Sequence, residues 1–388
     1  MRTNCRRTFV ASLGLIALLA SIAAAQKRDV DLTAPDGVKL KASYYPGSKP
    51  GPGVLLLHMC GGATRQSWDR LATLLAATGI HVLTLDYRGF GESGDERFDT
   101  LDTEHRRAAQ AKWAGDIDVA FDYLLAQPGV DRRRAGAAGA SCGANNSAQL
   151  ALRHPEVTAL VFLSGGVNRA SLDHLRHCSS LSLFLASSED DSGFIPYMRW
   201  LSQFSQNPHN RLVEYKKAGH GTDMFAVEKD LEPQIVEWLS GALLEAPTVS
   251  AAATAQPNPQ VEFWSILTGP DGATGALPIL REARRRDPDA ILLPELAAVI
   301  LGSDLVRAGN PQEAVAVLRV GLEEYPDSID LHFSLSGAYL EAGDRTMALQ
   351  YCEKTLQLID KDTTISDEEK EYYRKRIDER VQQLKAKQ

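Results

Sequence analysis

The chain has 388 residues, 44% of them apolar and 24% charged, with a formal net charge of −8. That length allows two or three domains, and that composition excludes a chain that is disordered or membrane-embedded as a whole. The acidic balance excludes general affinity for nucleic acid, which needs basic patches to neutralise phosphates.

The first 25 residues read as a signal peptide. Arg2, Arg6 and Arg7 form a positive start, Phe9 to Ile22 an apolar run, and Ala23-Ala24-Ala25 a small-x-small cleavage pattern before Gln26. The run is too short to be a good membrane-spanning helix, so no span is expected in the mature chain. Arg6-Arg7-Thr8-Phe9 resembles a twin-arginine export signal, with an ordinary secretory signal as the alternative. A periplasmic or secreted location follows from either. Cys5 leaves with the signal; Cys60, Cys142, Cys178 and Cys352 remain, too scattered for a disulfide scaffold.

From residue 29 the pattern alternates between strand and helix. Strands are expected at 29–35, 38–46, 53–58, 80–86, 134–140, 159–164, 181–187 and 211–217. Helices are expected at 66–78, 105–127, 143–154, 169–177, 194–206 and 231–245. Val54-Leu55-Leu56-Leu57 is typical of the unalternating runs that mark parallel strands covered on both faces. Only Pro35-Asp36-Gly37 separates the first two strands, which therefore form a hairpin; later gaps can hold crossover helices. The expected architecture of residues 26–246 is an eight-stranded, mostly parallel sheet with helices on both faces.

Residues 247–260 carry Pro247, Pro257 and Pro259 around an Ala/Thr/Ser/Gln stretch and read as a linker. Residues 261–388 are helical and repetitive. Ala308-Gly309-Asn310 returns 34 residues later as Ala342-Gly343-Asp344, Ala314 as Ala348, and Leu318 as Cys352. Gly275-Ala276 and Pro288 suggest a degenerate earlier unit, and the charged stretch 367–388 a capping helix. Helix–turn–helix units of this period resemble the tetratricopeptide repeat, which implies a protein partner bound through the helical repeats.

The strongest chemical signal is Gly139-Ala140-Ser141-Cys142-Gly143, lying between an expected strand and an expected helix. In that context G-x-S-x-G is a nucleophile elbow, with Ser141 exposed at a strained turn and the Cys142 N–H aimed at a developing oxyanion. A serine nucleophile needs a base, and the base an orienting acid, in the chain order Ser, acid, His. His220, in Ala218-Gly219-His220-Gly221 after the last strand, is the expected base. Among Glu189-Asp190-Asp191, Asp191 is the expected acid and Asp190 the alternative, since spacing does not separate them. The second oxyanion donor is expected in His58-Met59-Cys60-Gly61-Gly62, from the N–H of Cys60 or else of Met59, with His58 shaping the loop.

Asp86-Tyr87-Arg88-Gly89-Phe90-Gly91-Glu92-Ser93 resembles the D-x-R-G-x-G-x-S run that follows the fourth strand of α/β-hydrolases. Residues 29–245 as a whole resemble the dienelactone-hydrolase-like branch of that family. The resemblance implies an α/β-hydrolase fold with Ser141 as nucleophile, Asp191 as acid and His220 as base; no cofactor or metal is expected. Met59 departs from the family's frequent Gly, and dienelactone hydrolases proper use Cys as nucleophile. The glycine frame centres on Ser141 rather than Cys142.

About fifteen residues separate the sixth and seventh strands, room for a single helix and no inserted lid. An uncapped, shallow site suits a small-molecule or acyl-ester substrate. Cys60 and Cys142 would both flank the oxyanion hole and could pair in an oxidising compartment, making it rigid or occluding it. His174, His177 and Cys178 share a helix face but lack further ligands nearby, so no metal site is expected. Arg284-Arg285-Arg286 reads as a solvated helix end. The function expected is an exported serine hydrolase of carboxylic esters. The alternative is an inactive hydrolase-fold scaffold whose repeats bind protein.

Overall fold

A computed structural model describes residues 26–245 and 258–386. The predicted signal peptide, 1–25, lies outside the described residues, as does the greater part of the predicted linker, 247–257.

All eight expected strands form, and they join in one sheet. They are β1 (Arg28–Thr33), β2 (Lys39–Tyr45), β3 (Gly51–Leu57), β4 (His81–Leu85), β5 (Val130–Ala140), β6 (Val157–Leu163), β7 (Ser182–Ser188) and β8 (Arg211–Tyr215). The spatial order is β1-β2-β4-β3-β5-β6-β7-β8. β2 pairs antiparallel with both β1 and β4, and every later pairing is parallel. The helices that follow or connect these strands are α1 (Asp69–Thr78), α2 (Thr103–Leu125), α3 (Cys142–Arg153), α4 (Arg169–His177), α5 (Phe194–Ser202), the short α6 (Met224–Val227) and α7 (Leu231–Leu244).

The apolar run in β3 serves both faces. Val54 and Leu56 join a cluster with Leu71, Leu75, Ile235 and Leu239 of α1 and α7, whereas Leu55 and Leu57 join one with Phe121, Leu124 and Ala144 of α2 and α3. Successive side chains of a strand point to opposite faces, so a strand covered twice has no polar position to alternate. Boundaries differ from expectation where polar residues interrupt the pattern. β5 starts at Val130, pairing with Gly51 across a register shift, because Asp131 to Arg134 extends as strand without an apolar face. β8 ends at Tyr215, two residues early, where the chain turns so that the N–H groups of Ala218 and Gly219 reach Asp190. α5 stops at Ser202, and Phe204 turns edge-on under Trp264.

Beyond residue 258 the chain is helical: α8 (Pro259–Leu267), α9 (Gly272–Arg286), α10 (Glu295–Arg307), α11 (Pro311–Glu324), α12 (Ile329–Glu341), α13 (Arg345–Lys361) and α14 (Asp367–Ala386). α10 and α12 begin one 34-residue step apart, as do α11 and α13. Gly309 and Gly343 take φ of 78° and 82° at equivalent turns, a left-handed conformation that costs glycine little. Ala314 and Ala348 are both fully buried where the paired helices meet.

The helical region shares one hydrophobic cluster with the sheet domain. Tyr197, Trp200 and Phe204 from α5 and its end meet Phe263, Trp264, Leu292 and Leu301. The Trp200 indole N–H donates to the Leu292 carbonyl at 3.1 Å, and its ring meets Trp264 edge-on at 5.3 Å. Asp304 of α10 accepts from the Arg169 backbone N–H at 2.9 Å, at the start of α4. The parts on either side of residues 246–257 thus share one merged apolar core.

Candidate functional site

The candidate residues gather at the carboxyl ends of β3, β5, β7 and β8, where parallel sheets of this kind place their sites. Ser141 stands between β5 and α3 with φ 52° and ψ −118°, a sterically disfavoured conformation for a residue with a Cβ. Two glycines make the turn possible. A Cβ on Gly139 would lie 2.0 Å from the Gly143 carbonyl, and one on Gly143 would lie 2.3 Å from the Leu57 oxygen. Gly165, which the sequence does not mark, is also required: its Cβ would meet the Ala144 Cβ at 2.3 Å and the Ser141 oxygen at 2.6 Å. The signal that could have found it is the Ser164-Gly165-Gly166 run directly after β6.

The two acid candidates separate cleanly in space. Asp191 Oδ2 lies 2.8 Å from His220 Nδ1. Asp190 Oδ1 accepts instead from Ser188 Oγ at 2.5 Å and from the N–H groups of Ala218 and Gly219 at 3.2 Å each. Its bond to Ser188, aided by those backbone donors, holds its carboxyl below the usual carboxylate range. Asp190 therefore shapes the loop that presents the histidine, while Asp191 touches the imidazole. The Asp191 side chain is largely covered, and His220 is about one-third exposed with Phe194 packed on it at 5.3 Å.

The histidine loop abuts the elbow. A Cβ on Gly221 would meet the Ala140 Cβ at 3.3 Å and the Met59 sulfur at 3.0 Å, so the residues next to His220 and Ser141 are in contact range. Among the described residues the Ser141 hydroxyl makes no hydrogen bond to His220. Such bonds are often long before substrate binds.

His58 organises the second side of the site. It is fully buried, and burial pushes its imidazole pKa down. The Tyr87 N–H donates to Nε2 at 3.2 Å, so Nε2 carries the lone pair and Nδ1 the proton, which it gives to the Met59 carbonyl at 2.7 Å. In a trans peptide the C=O and the following N–H point opposite ways. Anchoring the Met59 carbonyl on His58 therefore turns the Cys60 N–H away from the interior. Cys60 and Cys142 form a disulfide with their Cα atoms 5.9 Å apart. The bridge joins the loop after β3 to the first residue of α3.

The D-x-R-G-x-G-x-S run proves to be a scaffold for this loop. The fully buried Asp86 accepts from the Arg65 backbone N–H at 2.7 Å and from its guanidinium, and from the Glu92 N–H at 3.1 Å. Arg88 holds Asp116 by two bonds of 2.6 Å and Asp36 by two of 2.8 and 3.1 Å, which raise its already high pKa. A buried charge is tolerable only with such pairing. His174, His177 and Cys178 do not converge on a common point: His177 Nδ1 pairs with the Asp173 carbonyl, and Cys178 with Ser180. Arg284, Arg285 and Arg286 pair with Glu324 and Glu282 on the helical surface.

α10 stands beside the site. A Cβ on Gly166 would lie 2.2 Å from the Ile300 Cδ1. The β6–β7 connection itself holds α4 alone, without an inserted lid.

Residues 53–180 match the family described as the alpha/beta hydrolase fold. A stretch of 138 residues is 33% identical to an uncharacterized protein of Mycobacterium tuberculosis, covering 35% of this chain and 45% of that protein. A shorter stretch of 113 residues is 29% identical to a thiohydrolase of Aspergillus aculeatus, covering 29% of this chain and 33% of that one. The chain thus spans less than half the length of these curated relatives. Among solved structures it is similar to a dienelactone hydrolase from Anabaena variabilis, at 24% identity and a TM-score of 0.45, covering 55% of this chain and 96% of that one. It is also similar to an esterase of Pyrococcus furiosus, at 18% identity and a TM-score of 0.44, covering 55% and 92%. The family match and the strand order agree: from Arg28 to Leu244 this chain has the α/β-hydrolase fold, and an all-helical region follows it.

Proposed function

We propose that this chain is a serine hydrolase acting on carboxylic esters or related acyl substrates, with Ser141 as nucleophile. The observation that carries the reading is the strained Ser141 turn, φ 52° and ψ −118°, beside a histidine loop whose imidazole is hydrogen-bonded to Asp191. Ser141 Oγ attacks the acyl carbon and His220 Nε2 takes its proton. Asp191 holds the Nδ1–H and stabilises the imidazolium that forms. The N–H groups of Cys142 and Cys60 receive the charge that develops on the carbonyl oxygen. One such donor is worth ~10²–10³ in turnover. His220 then protonates the leaving alcohol, and water repeats the sequence on the acyl-serine to release the acid.

A fluorophosphonate probe tests this directly on the full-length chain. The wild type is expected to label at one serine and Ser141→Ala not at all. Undiminished labelling of the variant would overturn the assignment.

Export belongs to the same proposal. It is supported by the Arg-rich, apolar and Ala-rich anatomy of residues 1–25 and by the Cys60–Cys142 disulfide, since such bonds persist in oxidising compartments. The helical region is proposed to resemble tetratricopeptide repeats and to bind a partner, on the strength of its 34-residue period.

A further inference from the structure

A cleft of about 640 Å³ opens between the first turns of α2 and the helices α10, α12 and α14. That size is typical of a small-molecule site. Its walls bring together Arg106 and Arg107 of α2 with Arg376 and Arg380 of α14. Their charges are unevenly compensated. Arg107 pairs with Glu341 at 3.3 Å. Arg376 donates to Thr103 Oγ1 at 2.8 Å and meets Glu379 only at 3.5 Å, and its buried Nε has no partner among the described residues.

Arg380 and Arg106 have no carboxylate partner among the described residues. Arg380 donates to the Phe333 carbonyl at 2.6 Å and to the Ser336 hydroxyl, and its guanidinium lies 4.2 Å over the Phe333 ring. Gly337 makes room for it, since a Cβ there would meet Nη2 at 3.1 Å. Burial, opposed in part by Cys352 and Glu341 and helped by repulsion from Arg376 and Arg107, lowers its pKa to about 10. Arg106 donates only to the carbonyls of Phe98 and Asp99, at 3.2 and 2.9 Å. At the rim, Arg307 is paired with Asp304, and Glu104 is the remaining carboxylate lining the cleft.

Gathering guanidinium groups in a partly desolvated cleft is unfavourable unless an anion joins them. Their planar forks match a carboxylate bidentately. Phe98 and Phe333, with Val306 and Leu340, line the cleft and offer apolar contact beside those forks. We propose that this cleft is a binding site for an organic carboxylic acid, its carboxylate held by Arg380 and Arg106 and its apolar body lying against Phe98 and Phe333. The site is separate from the Ser141 site and does not depend on its chemistry. An inorganic anion would satisfy the guanidiniums but leave the rings unused.

Isothermal titration of the full-length protein with 4-phenylbutyrate tests the proposal, with 4-phenylbutyramide and inorganic phosphate as comparison probes. The acid is expected to bind saturably at one site per chain, the amide not to bind, and phosphate to bind at least tenfold more weakly than the acid. Arg380→Gln and Arg106→Gln are each expected to weaken the acid about tenfold or more, while Ser141→Ala binds it as the wild type does. Arg106 hydrogen-bonds only to main-chain carbonyls and otherwise lies 5.8 Å over the Phe98 ring, so Arg106→Gln keeps the test intact should Arg380→Gln fail to fold. Absence of saturable binding, equal binding of acid and amide, phosphate as tight as the acid, or unaltered affinity in Arg106→Gln would each overturn the assignment.

Discussion

Reducing the Cys60–Cys142 disulfide cuts the covalent link between the two residues whose N–H groups are proposed to form the oxyanion hole. The half-cystines are 82 residues apart, and closing a loop of that length is worth about 4.5 kcal/mol in the chain-entropy account, against the 2–4 kcal/mol such bonds usually show. A loss of ~2–4 kcal/mol should lower the melting temperature by several degrees. The catalytic effect is separate. His58 still anchors the Met59 carbonyl after reduction, and α3 still fixes Cys142, so the donors drift without being lost. Since removing a donor outright costs ~10²–10³, the expected fall in kcat is about tenfold to a hundredfold, with KM changed less than about threefold. The assay is turnover of p-nitrophenyl acetate by the full-length protein before and after phosphine reduction, well below the melting transition. Intact mass after alkylation verifies that both thiols are free. Full reduction with an unchanged kcat would refute the role of the bridge as a staple of the hole, and a rise in kcat would show that it occludes the site instead.

Further outcomes follow from the same geometry. Asp191→Asn should reduce kcat by ~10³–10⁴, because the asparagine no longer holds the Nδ1–H tautomer, whereas Asp190→Asn should leave kcat within about tenfold and lower thermal stability; equal effects on kcat would sink the distinction between them. Gly143→Ala should abolish turnover and destabilise the fold by ~1–3 kcal/mol or more, since its Cβ has no space against the Leu57 carbonyl; a stable, active variant would contradict the elbow geometry. Burial lowers the pKa of His58, His81 and His332, so the folded chain keeps them neutral while the unfolded chain protonates them below about pH 6.5. Stability should therefore be retained above that pH and lost as pH falls toward the lowered folded values, by up to ~1.4 kcal/mol per pH unit for each histidine. A melting temperature that stays flat on acidification through this window would argue against neutral buried imidazoles. Trp200→Ala should cost ~3–5 kcal/mol and expose apolar surface, because Trp200 joins the sheet domain to Leu292 and Trp264; a loss below ~1 kcal/mol would mean that the two parts stand independently.

The sequence by itself carried the strand order's raw material and the residue types of the candidate site. Runs such as Val54 to Leu57 declare doubly covered strands because burial on both faces removes alternation, and that local signal survives without any tertiary knowledge. The G-x-S-x-G frame is equally local: Gly139 and Gly143 are demanded by atoms within the turn and its immediate neighbour strand. The 34-residue period told where paired helices begin. Other features depended on which distant surfaces meet. Asp190 and Asp191 are adjacent in sequence, and only the turn after β8 decides that one caps backbone N–H groups while the other meets His220. The approach of Cys60 to Cys142 required β3 and β5 to lie side by side. Gly165 is indispensable only because β6 ends against the elbow. The apparent linker marked a boundary in composition but not in packing, since Trp200, Phe204 and Trp264 bury one another from both sides of it. Spacing records what one segment needs of its own backbone; it does not record which apolar face will find which, because hydrophobic burial has no direction along the chain.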